Sequence, residues 1–212
     1  MKKIRFGVIG AGGIAMRRTI PEGIMPASNA ELIAVMDVDG KRAKDVAAKF
    51  CGGRYFTNEE DLLKTKEIDA VYISTPVNMH YKQVLLAAKY GKHVLCEKPM
   101  CTDLKDATRI QAAVKKAGIT YMSAHNQLFM PVVQEARKMI RDGAIGTVRW
   151  LRSQDCFENN PNVLVGKWRS NAKLQGGGEL IDTGYHPTYR LLYLAEAAVT
   201  GVRGSMGRFH QV

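Results

Sequence analysis

Cysteine is scarce in this chain. The four that occur in 212 residues, Cys51, Cys96, Cys101 and Cys156, show no paired CxxC spacing. Neither a disulfide framework nor a thiolate zinc centre therefore organises the fold, and no metal is expected. Reduced thiols of this kind suit a cytoplasm. Long apolar runs are missing as well: no segment approaches the about eighteen residues that a membrane span requires, so no membrane partner is expected. The apolar stretch behind Met1-Lys2-Lys3 has the outline of a secretory leader, yet Gly7, Gly10, Gly12 and Gly13 interrupt it and Arg17-Arg18 follow at once. The positive excess of +11 lacks clustering: lysines and arginines come in pairs such as Arg17-Arg18 and Lys115-Lys116, with no run of five. Without such a run or interleaved aromatics for base stacking, nucleic acid is not an expected partner. The charge reads as solvated surface with some affinity for a phosphorylated ligand.

What is present is alternation. Short β-branched runs at 4–9, 32–38, 70–74, 93–96 and 119–123 are separated by amphipathic stretches at 13–20, 41–50, 79–90 and 104–117, with Pro21, Gly91 and Gly118 as breakers. The runs are apolar throughout, as strands buried on both faces should be. This predicts an α/β fold: a doubly wound parallel sheet of the Rossmann type over residues 1–122. The texture changes in 123–212. A helix at 132–141 starts at Pro131 and stops at Gly143, an alternating strand is predicted at 147–157, and a Gly/Asn-rich loop reaches Gly176-Gly177-Gly178. A helix at 179–194 and a strand at 199–209 follow.

Gly10-x-Gly12-x-x-Ala15 lies between a predicted strand and helix, the context a dinucleotide fingerprint needs. The first glycine permits a tight turn, the second a close approach of backbone to pyrophosphate, and the small third residue close packing of helix on strand. Gly13 and Ile14 open the helix whose N-terminus faces the phosphate charge. Asp37 ends the second strand about twenty residues on, where a carboxylate accepts hydrogen bonds from ribose hydroxyls. It would repel a 2′-phosphate, so NAD is the expected cofactor; Lys41 and Arg42 stand close enough in sequence to serve NADP instead.

Further motifs sit where strands end. Ser74-Thr75-Pro76-Val77-Asn78-Met79-His80 follows the strand at 70–74, Glu97-Lys98-Pro99 the strand at 93–96, and Ala124-His125-Asn126 the strand at 119–123. Together with Gly176-Gly177-Gly178-x-x-x-Asp182-x-Gly184-x-His186, they resemble, in order and over nearly the whole chain, the glucose-fructose oxidoreductase, inositol dehydrogenase and rhizopine-catabolism (Gfo/Idh/MocA) family. The resemblance implies a Rossmann domain followed by an α/β domain with an open mixed sheet, here incomplete, and an NAD(P)-dependent oxidoreductase acting on a sugar, cyclitol or related polyol. It implies Lys98, Asp182 and His186 as the catalytic set. Thr75, Asn78, His80, Glu97 and Lys98 are then expected at the cofactor, and Asn126, Trp168 and Arg169 at the substrate. Leu128 and Tyr189 depart from the family pattern, standing where arginine and aspartate are common.

The residues themselves support part of this. Asp182 and His186 are four apart on a predicted helix, so they share a face, and the carboxylate can orient or charge the imidazole. Alcohol oxidation needs a base near neutral pH, which suits His186, while Lys98 is cast as the donor that holds the substrate oxygen. Taken singly, His80 and His125 read as packing or hydrogen-bonding residues. The rival reading is a non-catalytic NAD(P)-responsive sensor of the same fold. Because family members run well beyond this length, the chain is also expected to be a fragment, with the second-domain sheet mediating homo-oligomerisation.

Overall fold

The structure is a computed structural model that describes residues 2–156, 167–205 and 207. The chain divides into two compact units, Met1–Ala124 and His125–Val212.

In the first unit, the apolar runs pair into one parallel sheet of six strands: β1 (Ile4–Ile9), β2 (Ala30–Met36), β3 (Tyr55–Phe56), β4 (Ala70–Ile73), β5 (His93–Cys96) and β6 (Tyr121–Ser123). Their order, β3-β2-β1-β4-β5-β6, is that of a doubly wound dinucleotide-binding sheet, with the chain reversing its direction of winding between β1 and β4. Helices cover both faces: α1 (Ala15–Ile24), α2 (Gly40–Phe50), α3 (Glu59–Leu63), α4 (Val77–Lys89) and α5 (Leu104–Ala117). One core gathers Ile9, Met36, Leu62, Ile73 and Val84; the other gathers Val8, Ile20, Val35 and Tyr72. Three helices are capped by side chains, with Asp39, Asn58 and Asp103 accepting from the first free amides of α2, α3 and α5.

Two differences from the sequence reading have clear causes. Helix α1 runs past Pro21 because it is wound as a π-helix, with Met25 N–H donating to the Ile20 carbonyl at 3.0 Å. The wider turn accommodates a residue with no N–H of its own. Strand β3 and helix α3 were not expected, since a two-residue strand carries too little periodicity to register.

Among its described residues the second unit holds a 3₁₀ turn (Asn126–Phe129), α6 (Pro131–Arg141), a further 3₁₀ turn (Trp168–Ser170), α7 (Ala172–Gln175), α8 (Gly178–Asp182) and α9 (Tyr185–Ala195). Of the two strands expected here, residues 147–156 and 199–205 have no strand pairing. Alternation describes a side-chain pattern, whereas a strand exists only where a neighbour takes its N–H and C=O groups. The remaining residues of both segments, apart from 207, lie outside the described residues.

The expected single helix at 179–194 is in fact two. Pro187 has no N–H to offer the Thr183 carbonyl, and that carbonyl is taken instead by His186 N–H at 3.0 Å. At the break a Cβ on Gly184 would lie 2.9 Å from Leu180 Cα, so the turn closes only around glycine. No described helix is long and apolar enough to cross a membrane.

Candidate functional site

The fingerprint turn is built from three strand ends. Gly10 N–H and Ala11 N–H both donate to the Met36 carbonyl, at 2.9 and 3.1 Å, which ties the turn to β2. Ser74 Oγ donates to the Gly10 carbonyl at 2.7 Å, which ties it to β4. Gly10 adopts φ +89°, and a Cβ there would sit 3.0 Å from the backbone at Ser74 and Thr75. A side chain there would be both strained and crowded, so the turn needs glycine at this position.

Asp37, immediately beyond β2, is buried. Its Oδ1 accepts from Asp39 N–H and from Arg42 Nη1, each at 3.0 Å. Arg42 Nη2 also meets Asp39 Oδ2 at 3.1 Å, and the stem of Arg42 crosses the turn, since a Cβ on Gly12 would lie 3.2 Å from its Cδ. The carboxylate expected to read the ribose is therefore already paired with a guanidinium.

At the C-terminal ends of β4 and β5 lie Thr75, Asn78, His80, Glu97 and Lys98. Thr75 Oγ1 donates to Gln83 Oε1 at 2.6 Å. Asn78 Oδ1 is buried with no hydrogen-bond partner among the described residues, an acceptor that a ligand donor such as a ribose hydroxyl or carboxamide would satisfy. His80 behaves differently from the expectation that it touches cofactor. It is fully buried, with Nδ1 2.9 Å from the Pro99 carbonyl and Nε2 3.0 Å from the Thr75 carbonyl. Both nitrogens face backbone carbonyls, of which a neutral ring can donate to only one, so the ring packs between the β4–α4 loop and the Lys98-Pro99 loop and presents neither nitrogen elsewhere. Burial pushes its pKa down, outweighing the two carbonyls that pull it up.

Glu97 Oε1 accepts from the Tyr72 hydroxyl at 2.7 Å, and that hydroxyl in turn accepts from Thr19 Oγ1 at 3.0 Å. Burial, with Glu97 adjoining, drives the Tyr72 phenol well above its ordinary range, so it stays a donor. Glu97 Oε2 also accepts from Lys98 N–H at 3.3 Å. Tyr72 was missed in the sequence, although a polar-tipped aromatic in an otherwise apolar strand is itself a sign of a buried partner. Lys98 is half-buried at the end of this chain of contacts.

In the second unit, Arg169 Nε donates to Asp182 Oδ2 at 2.7 Å while its guanidinium lies 4.3 Å from the centre of the Trp168 ring. Trp168, Arg169 and Asp182 are thus brought together. Asp182 closes α8 and His186 lies in the first turn of α9, so the shared helical face expected of them does not exist. His186 Nδ1 instead lies 2.6 Å from the Tyr189 hydroxyl, which also accepts from Gln127 N–H at 3.3 Å and donates to Asn126 Oδ1 at 3.4 Å. The Gly176-Gly177-Gly178 turn wraps a buried amide that sequence reasoning passed over: Gln175 Oε1 accepts from both Gly177 N–H and Gly178 N–H, and its Nε2 donates to the Gly178 carbonyl. Among the described residues no cluster of side chains is arranged to hold a metal.

Comparison with known proteins gives these features a setting. Residues 4–125 match the oxidoreductase family described as having an NAD-binding Rossmann fold, and residues 133–212 match the GFO/IDH/MocA C-terminal domain. The chain is 32% identical to 1,5-anhydro-D-fructose reductase of Ensifer adhaerens over 96% of its own length and 62% of the relative's. Among solved structures, an aldose-aldose oxidoreductase from Caulobacter crescentus complexed with glycerol superposes with a TM-score of 0.80 at 29% identity, covering 92% of this chain and 58% of that one. A 3-ketoreductase from Actinomadura kijaniata in complex with NADP and TDP-benzene gives 0.81 at 32% identity, covering 91% and 57%. The chain thus spans about three-fifths of the length of these relatives. Its two matched regions, its strand order and its glycine turn leave one assignment: the chain belongs to the Gfo/Idh/MocA oxidoreductase family and carries that family's NAD-binding Rossmann domain.

Proposed function

We propose that this chain carries the cofactor site and the acid/base residues of an oxidoreductase that moves a hydride between nicotinamide and a carbinol carbon of a sugar or polyol. The observation that carries the reading is the convergence, at the C-terminal ends of β1, β4 and β5, of a glycine turn, a buried amide oxygen on Asn78 without a hydrogen-bond partner among the described residues, and Lys98. Ligands of open α/β sheets bind where the strand order reverses, and these groups lie there.

Gly10, Gly12, Gly13 and Ile14 would face the pyrophosphate, Asp37 the ribose, and Thr75, Asn78 and Glu97 the part of the cofactor nearer the chemistry. A nicotinamide bound in this way supplies the hydride acceptor or donor. Lys98 then donates to the substrate oxygen and stabilises alkoxide character as it develops, while His186 takes the hydroxyl proton, or returns it in the reverse direction. Asn126 and the Trp168-Arg169 pair are assigned in this reading to the substrate. Asp182, held by Arg169, acts in this reading as an anionic wall of the same region. His80 is assigned a positioning role, because its buried ring packs between the two loops. Substrates named for relatives, an anhydro-sugar and aldoses among them, make sugars the class to try first.

A second reading, a sensor that binds NAD(P) without turnover, keeps the same first unit. Nicotinamide absorbance followed over a panel of aldoses and polyols, beside a cofactor-binding titration, separates the two. Turnover with any member of the panel supports the enzyme; tight cofactor binding with none across the panel supports the sensor.

A further inference from the structure

Tyr72 is fully buried in the middle of the sheet, where a phenylalanine would fill the same volume without a hydroxyl to satisfy. The register decides what that hydroxyl meets. Tyr72 pairs with Leu95 across the β4–β5 ladder, and Glu97 follows Leu95 by two residues. Glu97 N–H still donates to the Ile73 carbonyl at 2.8 Å, so the pleat holds that far and the three side chains share one face of the sheet. That face is the one α1 covers, with Val8, Ala15, Ile20 and Tyr72 in a single core. The hydroxyl is therefore met from two sides. It donates to Glu97 Oε1 at 2.7 Å, a carboxylate having no proton of its own to give, and it accepts from Thr19 Oγ1 of α1 at 3.0 Å. Glu97 Oε2 turns to the Lys98 backbone N–H at 3.3 Å. One line of hydrogen bonds thus runs from the helix that follows the glycine turn to the backbone that carries Lys98.

We propose that Tyr72 is a positioning residue: through Glu97 it holds the loop that begins at Lys98 in register with α1, the helix at the pyrophosphate end of the cofactor site. The inference rests on the reading that assigns Glu97 to the part of the cofactor nearer the chemistry and Lys98 to the substrate oxygen. A glutamate at a strand end has several rotamers open to it, and the buried phenol selects one of them. The phenol itself has little freedom, because its ring is locked in the core and its hydroxyl is held by Thr19. Since Thr19 lies on α1, the aim of Glu97 is referred to the same element that faces the phosphates. Both ends of a bound dinucleotide are then set by one packed face of the sheet.

The test is a double-mutant cycle on the full chain, read by NADH fluorescence titration and, with any aldose or polyol that turns over, by kcat and KM. Tyr72→Phe keeps the ring and removes only the hydroxyl. It is expected to weaken NADH by about threefold to tenfold, the range one hydrogen bond commands, and to lower kcat by about tenfold with KM for the sugar little changed. In a Glu97→Ala background the same substitution should change neither quantity, because the carboxylate through which it acts is gone. In Glu97→Gln, whose amide oxygen still accepts, part of the penalty should remain. Thr19→Val is the second variant: it removes the donor that holds the phenol, should weaken NADH in the same direction, and should also fall silent beside Glu97→Ala. A hydroxyl that serves only packing would lower the melting temperature and leave the same effect in every background. NADH affinity and kcat unmoved by Tyr72→Phe, or a penalty as large beside Glu97→Ala as in the unmodified protein, overturns the proposal. If Tyr72→Phe does not fold, Thr19→Val decides by the same two criteria. Glu97→Ala with unchanged NADH affinity and kcat would overturn the reading of Glu97 and the proposal with it. Absence of turnover across the panel would count against the enzyme alone, and the binding cycle would still decide the role of Tyr72.

Discussion

Asp37 and Arg42 share a problem of charge. The buried carboxylate disfavours a 2′-phosphate, but its Oδ1 is bridged at 3.0 Å by a guanidinium that could swing to that phosphate. Removing the carboxylate while keeping the arginine should therefore favour NADP: Asp37→Ser is expected to raise the NADP-to-NAD affinity ratio by about tenfold or more, a change of ~1.4 kcal/mol. Arg42→Ala should weaken NADP more than NAD. Fluorescence titration with both dinucleotides checks this, and ratios unmoved by either substitution would dismiss the pair as selectors. Lys98 makes a different demand. In the role proposed for it, stabilising a developing alkoxide, its loss in Lys98→Ala should cost on the order of a hundredfold in kcat while leaving cofactor affinity near normal. A variant with near-normal kcat would remove Lys98 from the chemistry. Asp37 was legible because its distance from the glycine turn is set by the length of one βαβ unit. Its partner Arg42 could be seen only as nearby, since sequence does not say which way a long side chain folds back.

The sheet was readable because parallel strands buried on both faces are apolar throughout, and five of the six stood out on that ground. The helix expected at 179–194 was misread because its pattern is continuous while its hydrogen bonding is not: Gly184 and Pro187 fall in its interior, where they mark a break. Their joint effect shows in the packing, where a Cβ on Gly184 would meet Leu180 Cα at 2.9 Å. That neighbour is backbone and cannot give way cheaply. Gly184→Ala should thus push α8 from α9, and a loss of about 1 to 3 kcal/mol is expected from such overpacking. Circular dichroism melts of the variant check it; an unchanged melt would mean that the turn is looser than its geometry. Tyr72 marks the opposite limit of legibility. Its strand was found, but the reach of its hydroxyl to Glu97 depends on the register of β4 against β5, which pattern alone does not supply.

At the scale of the whole chain, the first unit was read well and the second poorly, and the reason is where their contacts lie. The βαβ units are closed by local pairing, whereas residues 147–156 and 199–205 carry strand-like alternation without a paired neighbour. What both units share is a set of titratable groups whose folded pKa values are displaced downward. His80 and His125 are pushed down by burial, and Asp69 is held well below the carboxylate range by Arg5, whose guanidinium meets it at 2.7 Å. The sign is the same for each. A group with a depressed folded pKa binds more protons unfolded, so stability rises with pH and falls on acidification. For the histidines, the contribution is complete above about pH 6.5, the ordinary value of the unfolded ring, and declines below it; for Asp69 it is complete above about pH 4 and declines further down. The melting temperature should therefore hold a plateau near neutrality, step down as pH passes below about 6.5, and step down again below about 4. His80→Asn, which cannot take up a proton, should flatten the first step in part, leaving the share due to His125, and should leave the second untouched. Thermal unfolding followed at closely spaced pH values decides it. A melting temperature that rises on acidification through the first window would mean that His80 is held as a cation by the Thr75 and Pro99 carbonyls, and the neutral state assigned to that ring would be wrong.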